Sequence, residues 1–189
     1  MQPLSTLVLS LALFTPFLAA QAKDAKAEKT AAPAAMPLPK PQKEHELLKQ
    51  SEGTWDCAID SMGQKSKGSS VMKLGFNGLF LVDDFTCDFG GAPFQGHGVL
   101  GYDTHKGRYV ETWCDTMTTE IMVMEGSYDR KTNALTMTGS VHEGMTGQLV
   151  KMRLVTTWKD ANTMVFEMFN TGADGKEVQA MTITYTRHK

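Results

Sequence analysis

The chain has 189 residues, a formal net charge of −2 and 21% charged side chains, a length suited to one domain. A charge this close to zero leaves no electrostatic footprint for nucleic acid. The three cysteines, Cys57, Cys87 and Cys114, are far apart and lack the close ligand spacing of a zinc site.

Residues 1–22 contain no charged side chain. Leu7 to Ala20 is an apolar run, too short for a comfortable membrane span. Ala20-Gln21-Ala22 has the small-x-small spacing of a signal peptidase site, although no Lys or Arg precedes the apolar run. The segment is expected to be a cleavable signal peptide, and the mature protein to be secreted or periplasmic. After cleavage no transmembrane segment is expected. Residues 23–40 are mostly Ala, Lys and Pro. They have too little to bury to offset their ordering entropy and read as a disordered linker. Residues 41–189 remain as the folded domain. In an oxidising compartment the cysteines allow one bridge plus a free thiol, with no preferred pair. Three thiols kept as small apolar core residues are equally compatible with the sequence.

Pro41 suits the first turn of a helix, because its missing N–H costs nothing there. Glu44 to Lys49 continues in helix-forming residues, and Gly53 is a natural stop. The spacing predicts a short helix with Leu47 and Leu48 as its buried side. Beyond it, runs rich in Val, Thr, Met and aromatic residues alternate with turn residues. The breaks fall at Ser61–Gly63, Asn77-Gly78, Gly90–Pro93, Asp103–Gly107, Asp115–Thr118, Asp129–Asn133, Glu143–Gly147, Asp160–Asn162 and Gly172–Gly175. Nine breaks predict about ten strands, and no gap leaves room for the helical crossover of a parallel pair. The chain therefore reads as all-β, an antiparallel up-and-down barrel, since closure removes the exposed edges.

Successive strand residues point to opposite faces. Trp55, Cys57 and Ile59 form one inward set, as do Met72, Leu74 and Phe76. Met164, Phe166 and Met168 form another, and so do Met181, Ile183 and Tyr185. Tyr109, Glu111, Trp113 and Asp115 share a face, so two carboxylates accompany Trp113. Gly101-Tyr102-Asp103 and Gly126-Ser127-Tyr128-Asp129 each end a strand with an Asp placed to cap the following turn.

The segments Gly53-Thr54-Trp55, Gly78-Leu79-Phe80-Leu81, Gly101-Tyr102-Asp103, Thr112-Trp113-Cys114-Asp115 and Met181 to Arg187 occur in an order that resembles the domain-of-unknown-function family DUF1579. This is a lipocalin-like, calycin group of barrels, and the resemblance runs from about Pro39 to Lys189. It implies a small antiparallel barrel with a helical plug and implies no activity. Gly53-Thr54-Trp55 also resembles the Gly-x-Trp of lipocalin first strands, where the Trp packs against a late Arg. That resemblance implies a structural contact between Trp55 and Arg187, within about 6 Å.

Eleven of the thirteen methionines lie in the folded domain. They suit either an adaptable apolar cavity or a filled core. In the cavity reading, Phe85, Trp113, Met122, Met164, Met181 and Tyr185 line a site for a small apolar or amphipathic molecule, with Asp115 or Arg153 supplying polarity. In the filled-core reading the protein is a structural or interaction module. A third reading pairs Glu111 with Asp115 as a hydrolase-like acid and base. No cofactor is expected. The scattered histidines give haem no particular support, and P-loop, dinucleotide and nucleophile-elbow motifs are absent.

Overall fold

The computed structural model describes residues 37–142, 147–172 and 174–189. The expected signal peptide and residues 23–36 of the expected linker lie outside the described residues. Among the described residues, no helix is long and apolar enough to cross a membrane.

A 3-10 turn, Lys43–His45, runs into helix α1, Glu46–Ser51. Leu47, Leu48 and Ser51 are its buried side. Ten strands follow: β1 Gly53–Ser61, β2 Gln64–Gly75, β3 Phe80–Phe89, β4 Ala92–Asp103, β5 Arg108–Asp115, β6 Met122–Asp129, β7 Ala134–His142, β8 Leu149–Asp160, β9 Thr163–Thr171 and β10 Glu177–Arg187. Each pairs antiparallel with its sequence neighbours, and β10 returns to β1 to close the barrel. The predicted breaks coincide with the connections between these strands, and residues 143–146 of the seventh lie outside the described residues.

The turns follow from their residues. Met62 and Gly63 both have positive φ, at 51° and 87°, the geometry that matches a two-residue hairpin to the strand twist. Asp60 Oδ1 accepts from the Gly63 N–H at 3.0 Å. Asp103 caps its turn in the same way, accepting from the amides of His105 and Lys106. Asp129 accepts from the amide of Lys131 at 2.8 Å, which accounts for the sequence echo between the two segments.

One end of the barrel is shut by α1. Ser51 fastens it twice. The Trp55 indole N–H donates to the Ser51 carbonyl at 2.9 Å, and the Trp158 indole N–H donates to the Ser51 hydroxyl at 3.1 Å. Tyr109 donates from its hydroxyl to the Glu44 carbonyl at 2.7 Å. Trp55 and Leu48 are wholly buried. The Arg187 guanidinium lies 4.2 Å from the centre of the Trp55 ring system, inside the distance the Gly-x-Trp motif implied. Arg187 also donates to the carbonyls of Gln50, Glu52 and Ala161. The last strand thus holds the carbonyls at the end of the helix, which would otherwise need partners of their own.

Arg187→Ala is expected to destabilise the fold by about 2–4 kcal/mol, from the lost cation–π contact and charged hydrogen bonds. Arg187→Lys should recover less than half, because an ammonium cannot reproduce the planar fork. Urea denaturation at fixed pH checks both, through a lowered midpoint at an unchanged slope.

Candidate functional site

An eight-stranded barrel is just wide enough for its own side chains to fill. Ten strands enclose more. The result is a cavity of about 1150 Å³, open at the end opposite α1. The interior is therefore hollow, which corrects the filled-core reading. A ten-stranded circumference encloses more space than the inward methionines fill.

Most of the expected lining residues meet in this cavity. Phe85, Trp113, Asp115, Met122, Met164, Met181 and Tyr185 all border it, with Met124, Met137, Met152 and Met168 completing a methionine-rich wall. Arg153 does not. Met152 and Leu154 on either side of it are buried inward, so strand alternation turns Arg153 to the outer surface. There it donates to both carboxylate oxygens of Glu177, at 2.9 Å to Oε1 and 2.6 Å to Oε2, and its guanidinium lies 4.1 Å from the centre of the Phe169 ring. Arg153 is a clasp between β8 and the start of β10, and the cavity takes no polarity from it.

The placement of Trp113 depends on two glycines of the neighbouring strand. Gly98 is its register partner, and Gly96 faces Asp115. A Cβ on Gly96 would collide with the six-membered ring of Trp113, and one on Gly98 would lie 3.0 Å from Trp113 Cε3. The indole therefore lies flat on bare backbone. Its N–H donates to Asp115 Oδ2 at 3.0 Å, while Asp115 Oδ1 accepts from the Met117 amide at 2.8 Å. Asp115 thus caps its turn and anchors the tryptophan at the cavity mouth.

Deeper in the barrel lie two carboxyl groups. Glu111 on β5 and Asp83 on β3 both line the cavity. Asp83 Oδ1 accepts from the wholly buried Ser70 hydroxyl at 2.6 Å. Glu111 has no hydrogen-bond donor among the described residues. Desolvation pushes Glu111 up to about 7, with the charge of Asp83 adding to it. Desolvation likewise pushes Asp83 up to about 6, against the Ser70 hydrogen bond. Tyr185 faces the same space, and burial beside Asp83, Cys57 and Glu111 raises its hydroxyl well above its ordinary value. Glu111 retains some accessible surface because it faces the hollow, although it lies deep within the barrel.

The expected pairing of Glu111 with Asp115 is not formed. They stand four residues apart on one strand, a rise of about 13 Å, with Asp115 engaged at the mouth. Asp83, absent from the expected site, is the acidic neighbour of Glu111. Its signal was present: Asp83 is two residues before Phe85, so strand parity puts both on one face. The Asn170 side-chain oxygen also has no partner among the described residues and borders the same cavity.

All three cysteines are free. Cys57 and Cys87 flank Gly68 from opposite sides, two strand spacings apart and beyond disulfide reach. Burial pushes the Cys57 thiol up to about 12 and raises Cys87 as well, so both are held as thiols. Among the described residues no group of three or more His, Cys, Asp or Glu side chains is arranged to hold a metal ion.

The acids predict an inverted pH dependence of stability. Their folded values, about 7 and about 6, lie above ordinary carboxyl values. Between about pH 4 and pH 7 the folded state then holds more protons than the unfolded one, and stability falls as pH rises. Each shift is worth about 3 kcal/mol. Glu111→Gln and Asp83→Asn are each expected to raise stability at pH 8 and leave it nearly unchanged at pH 4. Thermal denaturation of the two variants and the parent at both pH values checks this.

No curated protein matches the chain. Among solved structures, it is similar to a redesigned β barrel, mFAP1, bound to DFHBI. The identity is 15% over 75% of this chain and 98% of that one, with a TM-score of 0.40. A second redesigned barrel, b11L5F_LGL, matches at 16% identity over 80% of this chain and all of the other, with a TM-score of 0.33. The model of a protein family of unknown function, DUF1579, matches residues 40–187, the entire barrel with its capping helix, and the chain belongs to that family.

Proposed function

We propose that the protein binds a small, predominantly apolar molecule inside its barrel. The observation that carries this reading is the cavity of about 1150 Å³, slightly larger than the usual several hundred Å³ of small-molecule sites. Its walls suit the role. Methionine side chains are flexible and polarisable, and they adapt to varied apolar shapes. Phe85, Phe94 and Trp113 form an aromatic cluster on the mouth side of the acids, with centroid separations of 6.0 and 6.3 Å around Phe85. Such rings add contact area at little entropic cost. We further propose that binding takes place outside the cytoplasm, after export directed by Leu7 to Ala20 and the Ala20-Gln21-Ala22 site.

N-phenyl-1-naphthylamine, uncharged at neutral pH, is the test probe. Its fluorescence should rise on saturable binding at about one molecule per chain. Met168→Trp, which fills the cavity from β9, is expected to weaken binding at least tenfold, about 1.4 kcal/mol, with an unchanged far-ultraviolet circular dichroism spectrum. Arg153→Ala on the outer wall should leave the probe affinity within twofold. Absence of saturable binding, or equal binding to the parent and Met168→Trp, rejects the interior as the site.

A further inference from the structure

The interior carries negative charge that nothing inside the barrel balances. Asp83 and Glu111 lie deep in an apolar cavity and oppose each other electrostatically. The lining holds no arginine. Its lysine, Lys151, is exposed at the open end. His142 is exposed there too, and its ring pairs with Glu120 outside the cavity. Ser70 gives Asp83 one donor, and no described residue gives Glu111 any. Buried carboxyl groups in a folded protein are normally hydrogen-bonded or paired. These two are left with acceptor oxygens facing a space large enough for a ligand. Trp113 adds an aromatic surface nearby, since its ring covers Gly98, the register partner of Asp83. A π-face next to carboxylates is a favourable place for a cation.

Resting on the cavity reading above, we infer that the natural ligand is an amine: an apolar body carrying one protonated primary or secondary amino group, seated at Asp83 and Glu111. The ammonium supplies the donors that Glu111 lacks and relieves the repulsion between the two acids. The apolar body lies along Met122, Met168 and Met181 toward the mouth. A ligand carboxylate would add a third negative charge at the same place. A hydroxyl would supply one donor and no charge.

Three probes of equal chain length separate these cases: decylamine, decan-1-ol and decanoate, each displacing N-phenyl-1-naphthylamine from the full chain at pH 7.5. Decylamine is expected to displace at a concentration at least tenfold below decan-1-ol, with decanoate weaker than both. In the Asp83→Asn, Glu111→Gln double variant, decylamine and decan-1-ol should converge to within about threefold while decan-1-ol affinity is retained. These replacements are nearly isosteric, and circular dichroism together with the retained decan-1-ol binding shows that the variant is folded. Equal displacement by decylamine and decan-1-ol in the parent, or a preference for decanoate, overturns the amine assignment and leaves the cavity reading standing. A decylamine preference that survives in the double variant overturns it as well. Failure of all three probes and of the naphthylamine itself overturns the cavity reading.

Discussion

The pairing of β10 with β1 is the constraint on which the rest of this molecule depends. Without it, ten antiparallel strands would form an open sheet with two long edges, each a template for pairing with another chain. With it, every strand has two neighbours, and the inward faces must share one enclosed space. The seam runs from Trp55 opposite Arg187 to Ser61 opposite Met181. At its helical end, the arginine that faces the tryptophan across the seam also holds the helix backbone. Closure of the barrel and attachment of its cap are thereby one structural event.

Closure at ten strands also sets the interior. The end under α1 is packed with Leu48, Trp55, Met124 and Met164, all nearly inaccessible. Met124 reaches into the space left by Gly139, its sulfur lying against the glycine. Toward the other end the space opens, although Trp113 still covers Gly96 and Gly98. A packed half supplies the stability that a hollow half does without, and two carboxyl groups at raised values are tolerated at the boundary between them. Strongly perturbed acids of this kind are found at functional sites and in structural networks alike.

Much of the fold was legible because it is local. Turn residues such as Met62-Gly63 and Asp103 declare themselves within four positions, and closure follows from strand number and the absence of crossovers. The site was legible only in part. Parity placed Trp113, Met164 and Tyr185 on the inward face, since alternation is a property of one strand. The same rule turns Arg153 outward, because Met152 and Leu154 beside it face in. What parity could not supply was register. That Trp113 lies on Gly96 and Gly98, and that Glu111 answers to Asp83 rather than Asp115, depends on how β3, β4 and β5 align. Asp83-Asp84 is also an ambiguous pair on its own, one carboxylate to each face. Alignment of separate strands is a tertiary property that no single segment encodes.

The three tryptophans occupy the two ends of the molecule unequally. Two of them, Trp55 and Trp158, donate their indole N–H groups to a single residue, Ser51. The third, Trp113, donates to a carboxylate at the opposite end. Indole emission depends on local polarity and on hydrogen bonding of the ring nitrogen. The protein therefore carries two built-in optical reporters, one at its lid and one at its entrance, and events at either end can be followed without attaching a label.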